Sequence, residues 1–224
     1  MVGTEFAQPE SAQSEFAQSE SAQFGFAQSG ARVGFALFET PVGCCGVAWR
    51  DGDIVRVALP ARPGGRDEAA ARAATRAYLA AAQPDSVEGT PPPEVAAAID
   101  GMIALLAGEP TDLTGIRVDL DGLPEFHQRV YEVTRAIPPG STLTYGEVAA
   151  RLGMPGAAQA VGQALGRNPV PIIVPCHRVL AAGGALGGFS APGGAATKQR
   201  ILRIEGALPA PAPALFDDLF ADSQ

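Results

Sequence analysis

The sequence predicts an α/β fold: an N-terminal α/β domain with a small sheet, followed by a mainly helical C-terminal domain that carries a candidate active-site cysteine. Three observations predict it. Residues 33–60 mix β-branched and aromatic residues with turn signals, residues 66–109 hold two runs of helical spacing, and residues 123–206 hold short helical patterns around NPVPIIVPCHRVL at 168–180. The expected organisation is a disordered low-complexity repeat over 1–30, the α/β domain over 31–121, a second domain over 122–207 and a flexible tail over 208–224. At 224 residues the chain is long enough to bury a substantial core.

Composition excludes several classes. Three cysteines, with Cys44 and Cys45 adjacent, make no disulfide framework, and no CxxC spacing offers a zinc site. No apolar run approaches the roughly 20 residues of a membrane helix, and no basic region precedes an apolar core at the N-terminus. A reducing, cytoplasmic setting without a membrane partner is the expectation. The net charge of −8 argues against nucleic acid until it is resolved along the chain. Residues 123–206 hold eight Lys/Arg against four Asp/Glu, an excess of +4, whereas the rest of the chain holds eight against 20. The basic segment is the one that contains the cysteine motif.

Taken in order, residues 4–28 repeat a five-residue unit, TEFAQ-PESAQ-SEFAQ-SESAQ-FGFAQ, too polar to offset the entropy of ordering it. From residue 33, VGFALFETPVGCCGVAWRDGDIVRVALP reads as strands, with Arg50-Asp51-Gly52-Asp53 as a hairpin loop. Cys44 and Cys45 fall inside that sheet and read as small buried hydrophobes. Residues 66–83 and 93–109 predict helices, and RVDLDGL at 117–123 predicts a strand that leads to the domain boundary.

The second domain opens with PEFHQRVYEVTRAI, where Phe126, Val130, Val133 and Ile137 share one helical face and Pro138-Pro139-Gly140 ends it. His127, in the first turn, reads as a capping or solvent-facing side chain. Thr144 is placed to cap a helix over 145–152. Gly153-Met154-Pro155-Gly156 makes a turn, and a second helix follows over 157–165 with Ala160, Val161 and Leu165 inward. Two short helices about a glycine turn have the outline of a helix-turn-helix, though many helical hairpins share it. Ala157 and Ala158 would give the second helix a small outward face, able to sit deep in a groove.

Ile172-Ile173-Val174 predicts a short buried strand, which Pro175 ends by removing a backbone donor. Cys176 then emerges from a rigid mount, a good place for a nucleophile. A thiol needs a base or a positive field to ionise near neutrality, and His177 and Arg178 are candidates for both. In an extended strand adjacent side chains point to opposite faces, so contact between Cys176 and His177 needs a bend or a water. A buried structural cysteine beside a surface histidine is the competing reading of these residues. Downstream, Gly183-Gly184 reads as a hairpin turn, Gly187-Gly188-Phe189-Ser190 can wall a flat pocket, and ATKQRILRIEG reads as a closing helix ended by Gly206. Glu205, the only acid after Glu147 in this domain, can orient the histidine.

PCHRV at 175–179, with RNPVPIIV before it, resembles the active-site motif of the 6-O-alkylguanine-DNA alkyltransferases, or methylated-DNA-protein-cysteine methyltransferases. The resemblance extends over about residues 123–207, through IPPGSTLTYGEVAARLG, PGAAQAVGQAL, GGFS and the terminal IEG, and residues 34–61 look like the family's more variable N-terminal domain. It implies an RNase H-like N-terminal domain, and a helix-turn-helix that enters the minor groove of double-stranded DNA and flips the damaged base. It implies that Cys176 accepts the alkyl group once and irreversibly, with His177 deprotonating it through water, Glu205 completing the relay and Asn168 bracing the site. Tyr145 corresponds to the tyrosine that rotates the nucleotide out. DNA contacts are expected from Thr144, Tyr145, Ala157, Ala158, Gln159, Arg167 and Arg178, and pocket walls from Val179, Phe189 and Ser190. No cofactor or metal is implied, and the partner is duplex DNA carrying 6-O-alkylguanine, bound by a monomer. The sequence departs from the family at Gln159, where an arginine is usual, and at Phe189, where a tyrosine is usual; the segment from Phe189 to Lys198 is also two residues longer. A lesion-binding relative without transfer and a Cys-His hydrolase are the alternatives; the presence of Cys176 argues against the first, and nothing positive supports the second.

Overall fold

Strands β1 (Gly34–Thr40), β2 (Gly43–Arg50) and β3 (Asp53–Ala58) form an antiparallel meander in the computed structural model, which describes residues 33–60 and 67–209. The expectations for the repeat over 1–30 and for the tail beyond residue 209 lie outside the described residues. The β2–β3 hairpin turns where the sequence places it: Asp51 and Gly52 both take positive φ, 51° and 85°, as a two-residue loop between right-twisted strands requires. Strand β4 (Val87–Glu88) adds to the other edge in parallel with β1, giving the order β3-β2-β1-β4.

Because side chains alternate along a strand, this sheet has two apolar faces. Phe35, Ala48 and Val55 pack with Leu79 of α1 (Glu68–Ala82), whose first turn is capped by the Asp67 carboxylate accepting from the Ala70 N–H at 2.9 Å. Phe38, Cys45, Val47 and Val57 belong to the larger core, which runs through α2 (Pro93–Leu106) into the second half of the chain. Cys44 and Cys45 are both buried, and burial pushes their thiols up to about 11 and about 12, so they are protonated packing groups.

The stretch 117–123 forms no strand. Only a bridge between Ile54 and Val118 is present, because the Asp119 carboxylate accepts from the Asp121 N–H at 2.9 Å and turns the backbone away after one pairing.

The second half is mainly helical: α3 (Glu125–Arg135), α4 (Tyr145–Arg151), α5 (Ala158–Gly166) and α6 (Gly194–Ile204), with a two-stranded parallel pair of β5 (Leu143–Thr144) and β6 (Val179–Leu180). Helix α4 starts on a full capping box. The Thr144 hydroxyl accepts from the Glu147 N–H at 3.2 Å, and the Glu147 carboxylate accepts from the Thr144 N–H at 2.6 Å. Helix α5 buries Val161, Ala164 and Leu165, whereas Ala160, expected inward, is exposed: the 161/164/165 spacing sets the inner stripe and leaves residue 160 off it. Around Gly183-Gly184 a short 3-10 turn (Ala182–Gly184) stands where a hairpin was expected, with no strand pairing beyond it. No helix among the described residues is long and apolar enough to cross a membrane.

Candidate active site

The apolar run before the cysteine is a buried turn rather than a strand. Pro169 and Pro171 supply no N–H groups for a ladder, so this segment satisfies its polar groups locally. Asn168 does most of this: its side-chain oxygen accepts from the Val170 N–H at 3.0 Å and its amide donates to the Val174 carbonyl at 2.8 Å. Val174 donates to the Val170 carbonyl at 2.9 Å, and Ile172 sits at a φ of 76°, a conformation rarely taken by a β-branched residue. The run is apolar because it is buried on all sides.

Cys176, His177 and Arg178 then form a single 3-10 turn, which supplies the bend that an extended strand would lack. All three side chains are buried. His177 Nε2 lies 2.9 Å from Glu205 Oε1, and Glu205 also accepts from Arg178 through two nitrogens at 2.8 and 2.9 Å. Arg178 donates a third hydrogen bond, to the Ile137 carbonyl at 2.6 Å. The expectation that Arg178 contacts DNA is therefore corrected. Its guanidinium is turned inward, because a carboxylate buried at the end of α6 requires a charge partner and Arg178 is the cation in reach.

The protonation states follow from these contacts. Burial alone would push Glu205 up, but hydrogen bonds from His177 and Arg178 outweigh it and hold the carboxyl at about 2. His177 lies below the ordinary imidazole value, because burial disfavours its charged form more than Glu205 favours it. A neutral His177 that donates from Nε2 to the carboxylate carries its lone pair on Nδ1, and Nδ1 is buried without a hydrogen-bond partner among the described residues. Burial raises the Cys176 thiol, opposed by hydrogen bonding from Asn168 and by the charge of Lys198. The thiol at rest is protonated and needs a base.

Lys198 was not among the residues the sequence singled out for chemistry. It is the only lysine in the chain and is fully buried, donating to the Val179 carbonyl at 2.6 Å with its Nζ 5.9 Å from the centre of the Tyr145 ring. Burial lowers it to about 8. One signal was available: a lysine at a position of α6 that shares the buried stripe of Thr197, Ile201 and Leu202.

A cavity of about 600 Å³ opens beside Cys176, with Tyr145, Ala158, Gln159, Phe189 and Ser190 among its walls. Tyr145 is half-buried, and its raised hydroxyl, shifted first by burial, stays a donor at neutral pH. Its ring lies against Gly187, whose φ of 64° and the 3.3 Å a Cβ would leave to that ring both call for glycine. Gln159 is exposed at the mouth, Thr144 is engaged in its helix cap, and Ala157 packs partly against the core rather than facing out. Val179 is fully buried behind the cysteine with its carbonyl taken by Lys198, so it lies outside the cavity wall. Arg167 is exposed and lines a second cavity that also reaches Cys176.

The model of the 6-O-methylguanine DNA methyltransferase family's DNA-binding domain matches residues 125–207. A methylated-DNA–protein-cysteine methyltransferase of Mycobacterium bovis is 44% identical over 124 residues, which are 55% of this chain and 73% of that protein. The crystal structure of Mycobacterium tuberculosis OGT in complex with DNA superposes with a TM-score of 0.61 at 32% identity, covering 78% of this chain and 94% of that one. The O6-methylguanine-DNA methyltransferase of Pyrococcus kodakaraensis superposes with a TM-score of 0.56 at 27% identity, over 77% and 99% of the two chains. With sequence identity of that order across nearly three quarters of a relative, and a buried Cys-His-Glu set at the matching motif, this chain belongs to the methylated-DNA–protein-cysteine methyltransferase family.

Proposed function

We propose that this protein repairs DNA by moving the alkyl group of 6-O-alkylguanine irreversibly onto Cys176, one group per molecule. One observation carries the reading: a protonated thiol beside a cavity of about 600 Å³, next to a neutral buried histidine whose free Nδ1 can take a proton. In the transfer, the Cys176 sulfur bonds to the alkyl carbon as the bond from that carbon to the guanine oxygen breaks. The thiol proton passes through a water to His177 Nδ1, and the electron pair stays on the base, which takes up a proton from solvent; return of the His177 proton to solvent leaves the overall proton count unchanged. Glu205 acts as a positioning residue: it fixes the tautomer and ring of His177 and stabilises the imidazolium that forms. Lys198 favours the thiolate, and the Tyr145 hydroxyl donates to the base. Thioether formation consumes the nucleophile, so no turnover follows.

A base inside a duplex cannot reach a buried sulfur, so the nucleotide must be extruded. On this reading α4 and α5 act as a helix-turn-helix laid in the minor groove, with Ala158 and Gln159 toward the DNA. Residues 122–207 form the DNA-binding and transferring domain, residues 31–121 a supporting RNase H-like domain, and the protein acts as a monomer. The test is incubation with duplex DNA containing 6-O-methylguanine, followed by peptide mapping by mass spectrometry. One methyl on Cys176, absent from Cys176→Ala, is expected; restored guanine with an unmodified Cys176 overturns the mechanism.

A further inference from the structure

Helix α5 turns one polar line outward. Gln159, Gln163 and Arg167, spaced by four residues, are exposed, while Val161, Ala164 and Leu165 are buried on the other side of the helix. Gln163, which no sequence motif marks, walls the cavity of about 600 Å³ beside Cys176 together with Gln159. Gly162 precedes it and Gly166 follows one turn on; a Cβ at Gly166 would meet nothing within 4 Å, so the face around the amide is open. Among the described residues neither glutamine side chain forms a hydrogen bond, so each offers a free carbonyl acceptor and a free amide donor. Among those residues, too, no acidic or basic side chain lines this cavity. An uncharged amide with both a donor and an acceptor matches the neutral edge of a base rather than a phosphate.

We infer that Gln163 reads a base pair neighbouring the lesion from the minor groove and favours G·C there, which gives the protein a preference for sequence context. The inference rests on the transfer reading above, with α5 in the minor groove. Four residues of helix rise about 6 Å, whereas one base-pair step rises about 3.4 Å, so with Gln159 at the emptied stack Gln163 lies over a pair one or two steps away. In the minor groove A·T and T·A pairs present acceptors only, and G·C adds the guanine 2-amino donor. The Gln163 amide can donate to any pair, but its carbonyl finds a donor only on G·C. Gln163 is a specificity residue for DNA context and takes no part in bond making.

The test is single-turnover transfer to Cys176, at subsaturating protein, from 6-O-methylguanine duplexes with G·C neighbours. In each duplex the guanine of one pair, within two steps on either side of the lesion, is replaced by inosine, which lacks only the 2-amino group. Inosine also loosens the duplex for any variant, so the quantity read is the guanine-to-inosine rate ratio of the unmodified protein divided by that of Gln163→Ala. One neutral hydrogen bond predicts a value of about fivefold at one position and near unity at the others. Each ratio is taken on one protein, so a loss of folded material cancels, and alanine keeps the helix. 7-Deazaguanine at the same position, altered only on the major-groove edge, should affect both proteins equally. A value near unity at every position, or an effect of 7-deazaguanine that depends on Gln163, overturns the inference. If 6-O-methylguanine alkylates Cys176 in no duplex, it is the transfer reading that fails.

Discussion

Replacing Glu205 with glutamine tests the buried charge network directly. The carboxyl lies at about 2 in the fold against 4.5 for an unperturbed glutamate, a difference worth about 3 kcal/mol of stability at about 1.4 kcal/mol per unit. The group's folded value is depressed, so this stabilisation is fully present above pH 4.5 and is lost as pH falls from 4.5 to about 2. A second route gives a similar figure: removing one partner of a buried ion pair costs about 3 to 5 kcal/mol, and Arg178 would be left 5% exposed without its counter-charge. Glu205→Gln should therefore be about 3 kcal/mol less stable at neutral pH, with the gap closing between pH 4.5 and about 2, where the unfolded chain takes up the proton that the native carboxyl still refuses. Urea unfolding followed by the fluorescence of Trp49, the only tryptophan and 8% exposed, measures both quantities. A loss under about 1 kcal/mol at neutral pH, or a gap that stays constant through the acid range, would refute the assignment of Glu205 as a fully ionised partner of His177 and Arg178.

Two further outcomes follow from the site. Lys198→Met removes the cation that opposes burial at Cys176, so the thiol should titrate higher still and the rate of methyl transfer near neutrality should fall about tenfold. The pH dependence of Cys176 alkylation by iodoacetamide, mapped by mass spectrometry so that Cys44 and Cys45 are read apart, follows the shift; an unmoved profile would remove Lys198 from the activating set. Gln159 stands exposed at the cavity mouth where the family usually has an arginine, so Gln159→Arg should tighten binding to lesion-bearing duplex and steepen its salt dependence by about one unit of the log-log slope. Affinity measured over a salt series checks this, and an unchanged slope would show that the side chain does not approach phosphate.

The chemistry was more legible in the sequence than its mounting. Cys176, His177 and Glu205 could be assigned as a set because the domain offers one cysteine, one histidine beside it and one late acid, and nucleophilic activation needs those three groups. Arg178 is illegible for a related reason. In a basic segment an arginine beside the motif reads as a DNA contact, and nothing local shows that a carboxylate 27 residues later must be neutralised inside the core. Lys198 is easy to miss because a lysine on a helix usually points to water; its spacing of three and four residues from Ile201 and Leu202 is the signal that places it on the buried stripe.

The loop at 168–176 shows why continuity of apolar residues misled. A run such as Ile172-Ile173-Val174 reports burial, and burial suggests a strand because strands are the usual short buried element. The prolines at 169 and 171 carried the contrary signal, since two missing donors in three residues cannot sustain a ladder. What replaces the ladder is the side chain of Asn168, which donates to Val174 and accepts from Val170 and so holds a turn containing an unfavourable φ at Ile172. That turn has a functional consequence a strand could not have. It lets three successive side chains wind into a 3-10 turn, so that Cys176 lines the cavity while His177 and Arg178 both reach Glu205. The conformational cost at Ile172 is thus tied to the geometry of the nucleophile, and Asn168, which hydrogen-bonds the loop on both sides of Ile172 and favours the ionised thiol of Cys176, links the two.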